Sequence, residues 1–212
     1  MLQILLDGQV QLFVMILVAI TFSLTLHEYG HAQSAKLLGD DTAQRMGRLT
    51  LNPIAHIDPV GLLMVIIVGF GWAKPVPIDI RNMKTPWGGA AVAVAGPLMN
   101  LLLAIVAINV YVWGVKSGSS AMTGASIQAL SILAQINLLL MLFNLIPLGP
   151  LDGHYIMSWL LPRNLGIRYD YFNARYGSYV FLALILLSFM GVPVFRVLMS
   201  FSGALIPYLM FV

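Results

Sequence analysis

The sequence predicts an all-α polytopic membrane protein. It has a three-helix core, a small cytoplasmic-side β element with a re-entrant segment, and one or two C-terminal helices. Two observations lead there. Of 212 residues, 59% are hydrophobic and only 9% are charged, where a soluble domain carries about 25% charged residues. An aqueous surface needs more charge than that. Long uncharged runs recur, several of them near the ~20 residues that a helix needs to cross the hydrocarbon core. The chain also contains no cysteine, which excludes a disulfide framework and a thiolate metal site. No basic run tracks along the sequence as nucleic-acid binding would require; the lipid bilayer is the expected partner. Residues 1–212 read as one integral-membrane unit, with a core over about 10–160 and C-terminal helices over about 176–212.

Residues 10–38 form the first apolar segment. Asp7 is the only charge before it, and the run exceeds a signal-peptide h-region, so it reads as a retained helix. Gly39-Asp40-Asp41 ends it. Residues 42–59 are polar and turn-rich, and the weak alternation of Arg45 to Leu51 predicts a short strand or hairpin. Such a strand would offer an edge to an extended peptide. Residues 60–72 are apolar but too short for a span, which fits a re-entrant or half-buried helix. Lys74, Pro75, Pro77, Asp79, Arg81, Lys84 and Pro86 mark 73–87 as a loop with extended stretches. Residues 88–115 are a second span, containing Gly96-Pro97, and 117–125 a Ser/Gly loop. A third span covers 126–148 and breaks at Pro147. Residues 149–175 mix Pro, Gly, Asp and three Arg, with a short apolar piece at 155–161. Residues 176–190 and 194–212 are apolar again, separated by Gly191-Val192-Pro193, as a kinked pair or two short helices.

Charge placement predicts an orientation. Arg45, Arg48, Lys74, Arg81 and Lys84 fall in 39–87, and Arg163, Arg168 and Arg175 in 149–175, whereas 116–125 carries only Lys116. The positive-inside rule places the two basic regions in the cytoplasm and the N-terminus outside.

The first span carries His27-Glu28-Tyr29-Gly30-His31, an H-E-x-x-H sequence. Residues i and i+4 share a helix face, so both imidazoles can bind one metal ion, with Glu28 beside them as a base. His27 lies 12 residues before Gly39, roughly 18 Å at 1.5 Å per residue. Two His and a Glu at that depth are costly unless partnered, and a metal ion is a fitting partner. A catalytic zinc takes three protein ligands and keeps an open position, so a third ligand is needed from Asp7, Asp40, Asp41, Asp58, Asp79, Asp152, Asp170 or another His. Asp152 stands out, because it follows a span and a Pro/Gly-rich stretch, Asn144 to Gly153, that breaks the helix.

Three motifs in order resemble the site-2 protease family of intramembrane zinc metalloproteases. They are His27-Glu28-Tyr29-Gly30-His31, then Ala95-Gly96-Pro97-Leu98-Met99-Asn100, then Asn144-x-x-Pro147-x-x-Pro150-Leu151-Asp152-Gly153. The stretch Leu51 to Gly61 is similar to one in compact family members without a PDZ domain. The resemblance covers about residues 10–160. It implies one Zn²⁺ held by His27, His31 and Asp152, with Glu28 as general base and Asn144 holding substrate or oxyanion. It implies hydrolysis of peptide bonds in or near the transmembrane segments of membrane proteins or membrane peptides, in a bacterial or archaeal cell membrane, from the cytoplasmic side. His154 stands where the family has a second Gly, and is expected to be structural or to support the site from behind; His56 is expected either at the site mouth or in a loop hydrogen bond. Two rivals are a metal-holding relative without protease activity, against which Glu28 argues, and a metal transporter, against which the convergence of the ligands argues.

Overall fold

Long apolar runs become helices because every backbone polar group must find a partner within the segment when no water is at hand. A computed structural model describes residues 1–212. Its main helices are α1 (Val10–Leu38), α2 (Pro59–Val68), α3 (Gly88–Lys116), α4 (Gly124–Asn144), α5 (Asp152–Leu160), α6 (Arg163–Phe189) and α7 (Val194–Leu205). Of these, α1, α3, α4 and α6 are long and apolar enough to cross a membrane. The chain is a membrane protein.

α1 ends where the sequence says it should. Gly39 adopts φ 112°, the left-handed cap conformation, and its N–H returns to the last turn. α1, α3 and α4 pack against one another. Ala104, Ala107 and Ile108 of α3 meet Ala134, Leu138 and Met141 of α4. In lipid this contact gains nothing from leaving water, so close approach of small side chains supplies the attraction. α7 and the turn after it pad this cluster through Leu205, Ile206 and Leu209.

α2 begins at Asp58, whose carboxylate accepts the Gly61 N–H at 2.8 Å, with Pro59 in the first helical position. It has 10 residues, or roughly 15 Å. The chain then turns back: the Lys74 N–H donates to His56 O at 2.8 Å, and Ile57 pairs with Ala73 in a single antiparallel bridge. The ends of this excursion therefore lie side by side, as a re-entrant segment requires.

Two expectations need correction. No sheet forms, and Arg45 to Leu51 is not a strand. Thr42–Arg45 is a helical turn, and Gly47 at φ 66° lets the Arg48 N–H reach Ala43 O. The alternation is not kept: Met46 and Leu51 point outward, Leu49 packs against Ala32, Ala43 and Val76, and Arg48 is buried, donating to Lys74 O at 2.6 Å and Pro75 O at 3.2 Å. A ladder on that neighbour could not extend, because Pro75 and Pro77 have no N–H. The second correction concerns the C-terminal helices, which begin at 163 rather than about 176. α6 starts at Arg163, more than a turn before the apolar run, and continues through a π-helical turn at Asn173–Gly177. No proline falls between Pro162 and Pro193, so nothing stops the helix despite its polar first turns.

Candidate metal centre

The i, i+4 spacing on α1 turns His27 and His31 toward the same neighbour, α3. Both are buried, at 4% and 6% exposure. Gly96 of α3 makes room for them. A Cβ there would lie 2.7 Å from His27 Cε1 and collide with the His31 ring. Gly30, between the two histidines, lets α3 approach in the same way: a Cβ on it would sit 2.9 Å from Ala95 O.

Each ring is held from behind. His31 Nδ1 lies 2.7 Å from Val92 O, a carbonyl that only accepts, so His31 carries its proton on Nδ1. His27 Nδ1 lies 2.7 Å from Asn100 Oδ1 and donates likewise. In the neutral rings both Nε2 atoms then offer lone pairs, and they face each other at 3.0 Å. Asp152, the first residue of α5, brings Oδ2 to 3.2 Å from His27 Nε2 and Oδ1 to 3.3 Å from His31 Nε2. Asp152 Oδ2 is buried and receives no hydrogen bond. With neutral imidazoles, four lone-pair atoms thus converge.

That arrangement asks for a cation, and its size fits zinc. Ligand atoms about 2.0–2.2 Å from a tetrahedral metal lie roughly 3.3 Å from one another. The three ligand atoms here all fall within 4.8 Å of one another. Two imidazoles and a carboxylate are a donor set that zinc favours. Glu28 is buried at 8% exposure, and its Oε2 accepts the Val76 N–H at 2.9 Å. The segment carrying Lys74, Pro75 and Pro77 therefore passes over the base.

Asp152 arrives on a loop clamped by α6. Tyr169 donates its hydroxyl to Pro147 O at 2.6 Å, and Asn173 Oδ1 accepts the Gly149 N–H at 2.9 Å. His154 Nε2 lies 3.2 Å from Asp170 Oδ1, so it ties α5 to α6. His56 is buried and bonds Thr50 O through Nε2 at 2.8 Å, within its own loop. Asn144 closes α4 and donates Nδ2 to Leu140 O at 3.0 Å; it does not join the ligand cluster. Three contributors carried no assignment from sequence: the Asn100 side chain, the Val92 carbonyl and the Val76 N–H. Asn100 had a signal, as an amide inside an apolar span. The two backbone groups have none.

Comparison with known proteins agrees with this geometry. The profile of Peptidase family M50 matches residues 15–126 and 112–188. The provisionally named zinc metalloprotease YwhC of Bacillus subtilis (strain 168) is 43% identical over 175 residues, covering 80% of this chain and 78% of that protein. The proteins provisionally named zinc metalloprotease Rip2 are more distant. That of Mycolicibacterium smegmatis is 29% identical over 154 residues, covering 68% of this chain and 56% of itself. That of Mycobacterium tuberculosis (strain ATCC 25618 / H37Rv) is 31% identical over 148 residues, covering 67% and 55%. The chain thus spans little more than half of the Rip2 proteins. No solved structure matches it.

Proposed function

Since this chain belongs to Peptidase family M50 and is a zinc metalloprotease, we propose that it cuts peptide bonds in or near the transmembrane segments of membrane proteins or membrane peptides. Such cleavage serves regulated proteolysis or peptide clearance, and the active site opens toward the cytoplasm of a bacterial or archaeal cell. One observation carries this reading. His27 lies 12 residues before the Gly39 cap of an apolar helix, roughly 18 Å from its end, with Glu28 and His31 in the next turn and Asp152 brought to them from α5, and ionisable groups are otherwise too costly to keep at that depth. Hydrolytic groups at that depth can reach bonds that a soluble protease cannot. The orientation follows from the basic residues of 39–87 and 149–175.

In the proposed chemistry His27, His31 and Asp152 hold one zinc ion, and Nδ1 bonds to Asn100 and Val92 fix the two rings so that Nε2 faces it. When bound, zinc supplies Lewis acidity toward the scissile carbonyl and lowers the pKa of water toward ~7. Glu28 takes the proton from the attacking water and returns it to the leaving amine. The Val76 N–H occupies Glu28 Oε2, which leaves Oε1 to carry that proton. Asn144, at the end of α4, is assigned to hold the substrate backbone or the oxyanion with the amide hydrogen that Leu140 O does not use. The substrate helix has to unwind locally for its carbonyl to enter.

The test is Glu28→Gln in the purified full-length protein, with a model membrane protein as substrate. Cleavage is expected to fall by about 10²–10⁴-fold while zinc content stays at one per chain. Cleavage at the unaltered rate would remove Glu28 from its role. His27→Ala and Asp152→Ala are expected to lose zinc, and a normal zinc content in Asp152→Ala would remove the third ligand.

A further inference from the structure

The centre of the three-helix core contains an unexpected set of side chains. Ser23 of α1, Asn100 of α3 and Asn137 of α4 are all 0% exposed. We propose that Asn137 is a positioning residue for the metal site, fixing the tautomer of His27 through Asn100. The proposal rests on the reading of His27 as a zinc ligand.

The argument runs outward from a backbone atom. Leu133 O can only accept, so the Asn137 side-chain atom 2.8 Å from it is the Nδ2 amide. Ser23 agrees. Its hydroxyl donates to Ala19 O at 2.6 Å, so its oxygen is left to accept, and Asn137 Nδ2 lies 2.8 Å away. With Nδ2 committed twice, Asn137 Oδ1 must face Asn100, and the atom that meets it at 2.9 Å is Asn100 Nδ2. That amide is also 3.4 Å from Ser23 O, another pure acceptor. Asn100 is therefore unable to turn over, and its Oδ1 points at His27 Nδ1, 2.7 Å away. An oxygen there demands a proton on Nδ1 and leaves Nε2 bare for the metal.

Each link removes one ambiguity. An inverted Asn137 would set its oxygen against Leu133 O and present an amide to Asn100. An inverted Asn100 would present an N–H to His27 and favour the tautomer with a protonated Nε2. His31 needs no such chain, because Val92 O fixes it directly. The two histidines of one motif are thus oriented by different means, one by backbone and one by a relay spanning three helices.

Zinc release to excess EDTA, followed on the purified full-length protein, tests this. Loss of a hydrogen-bond partner behind a metal-bound His weakens binding by about 10–100-fold. Asn100→Leu and Asn137→Leu are each expected to release zinc about 10–100-fold faster than the unaltered protein. The double variant is expected to be no faster than Asn100→Leu, because Asn137 acts only through Asn100. Asn100→Asp keeps an acceptor for His27 Nδ1 and is expected to release zinc more slowly than Asn100→Leu. Should Asn137→Leu fold poorly, Asn137→Ala gives the same reading. Unaltered release from the Asn137 variant would overturn the proposal, as would an Asn137 effect that adds in full to that of Asn100→Leu. His27→Ala separates the two levels. If it keeps zinc, the ligand reading fails; if it loses zinc and the Asn137 variant does not, only the relay fails.

Discussion

Asp40, two residues past the end of α1, is fully buried and gathers donors from three directions: the Thr42 hydroxyl and N–H, the Asp79 N–H at 2.7 Å and the Asn82 amide at 3.0 Å. Burial pushes its pKa up, but the bonds from Asn82, Thr42 and Asp79 outweigh that and hold it below 3.8. Asp79, paired with the Arg81 guanidinium, is lowered to about 2. Depressed carboxylates stabilise the fold while ionised. Their contribution is complete above the unfolded value near 4 and is lost as pH falls toward the folded values. The thermal midpoint should therefore drop between pH 5 and about pH 2. Asp40→Asn is expected to lower the midpoint at pH 7 by about 2–4 °C per kcal/mol lost and to flatten the acid limb. An acid limb unchanged in that variant would show that Asp40 is not its source. The role of Asp40 was hidden in sequence, since Gly39-Asp40-Asp41 reads as a helix stop and only the folded chain brings Asp79 and Asn82 to it. The nearness of His27 and His31 was legible because i, i+4 residues share a helix face. Asn100 and Asn137 were visible as amides in apolar runs, but their partners lie on other helices.

At the scale of elements, the crossing of α1 and α3 and the grip of α6 on the Asp152 loop are separately testable. Gly96→Ala adds a Cβ into the space of the His27 and His31 rings, and is expected to abolish zinc binding; metal analysis of the purified variant decides it. Tyr169→Phe removes the hydroxyl that holds Pro147 O. It is expected to cost about 1 kcal/mol of stability, read as a lower thermal midpoint, and to speed zinc loss. A Tyr169→Phe protein matching its parent in both would show that the loop stands without α6. The long spans were readable from apolar length alone, and α1 ends where Gly39 predicts. The strand over 45–51 was misread because a weak alternation gives no sign of the helical turn at Thr42–Arg45, the left-handed Gly47 or the carbonyls that draw the charged Arg48 inward. The start of α6 was missed because Arg163, Asn164, Arg168 and Asp170 mask a backbone that has no reason to stop.

The molecule as a whole joins distant parts of its chain at one point. Two candidate ligands come from α1 and the third from α5, held in turn by α6. A ligand that binds only the folded state stabilises it in proportion to its occupancy. Chelation should lower the thermal midpoint by several degrees and added zinc should restore it, while His27→Ala should respond to neither; equal midpoints with and without zinc would speak against a site that ties the chain together. The same span of sequence has a temporal side. During synthesis, the α1 pair and Glu28 leave the ribosome early, when Asp152 and the α6 residues that seat its loop have yet to be made. On the proposed ligand set, a half-made chain has the base and two imidazoles but no closed metal site. That site would close only once Asp152 and the α6 residues that seat its loop, Tyr169 and Asn173, have been made.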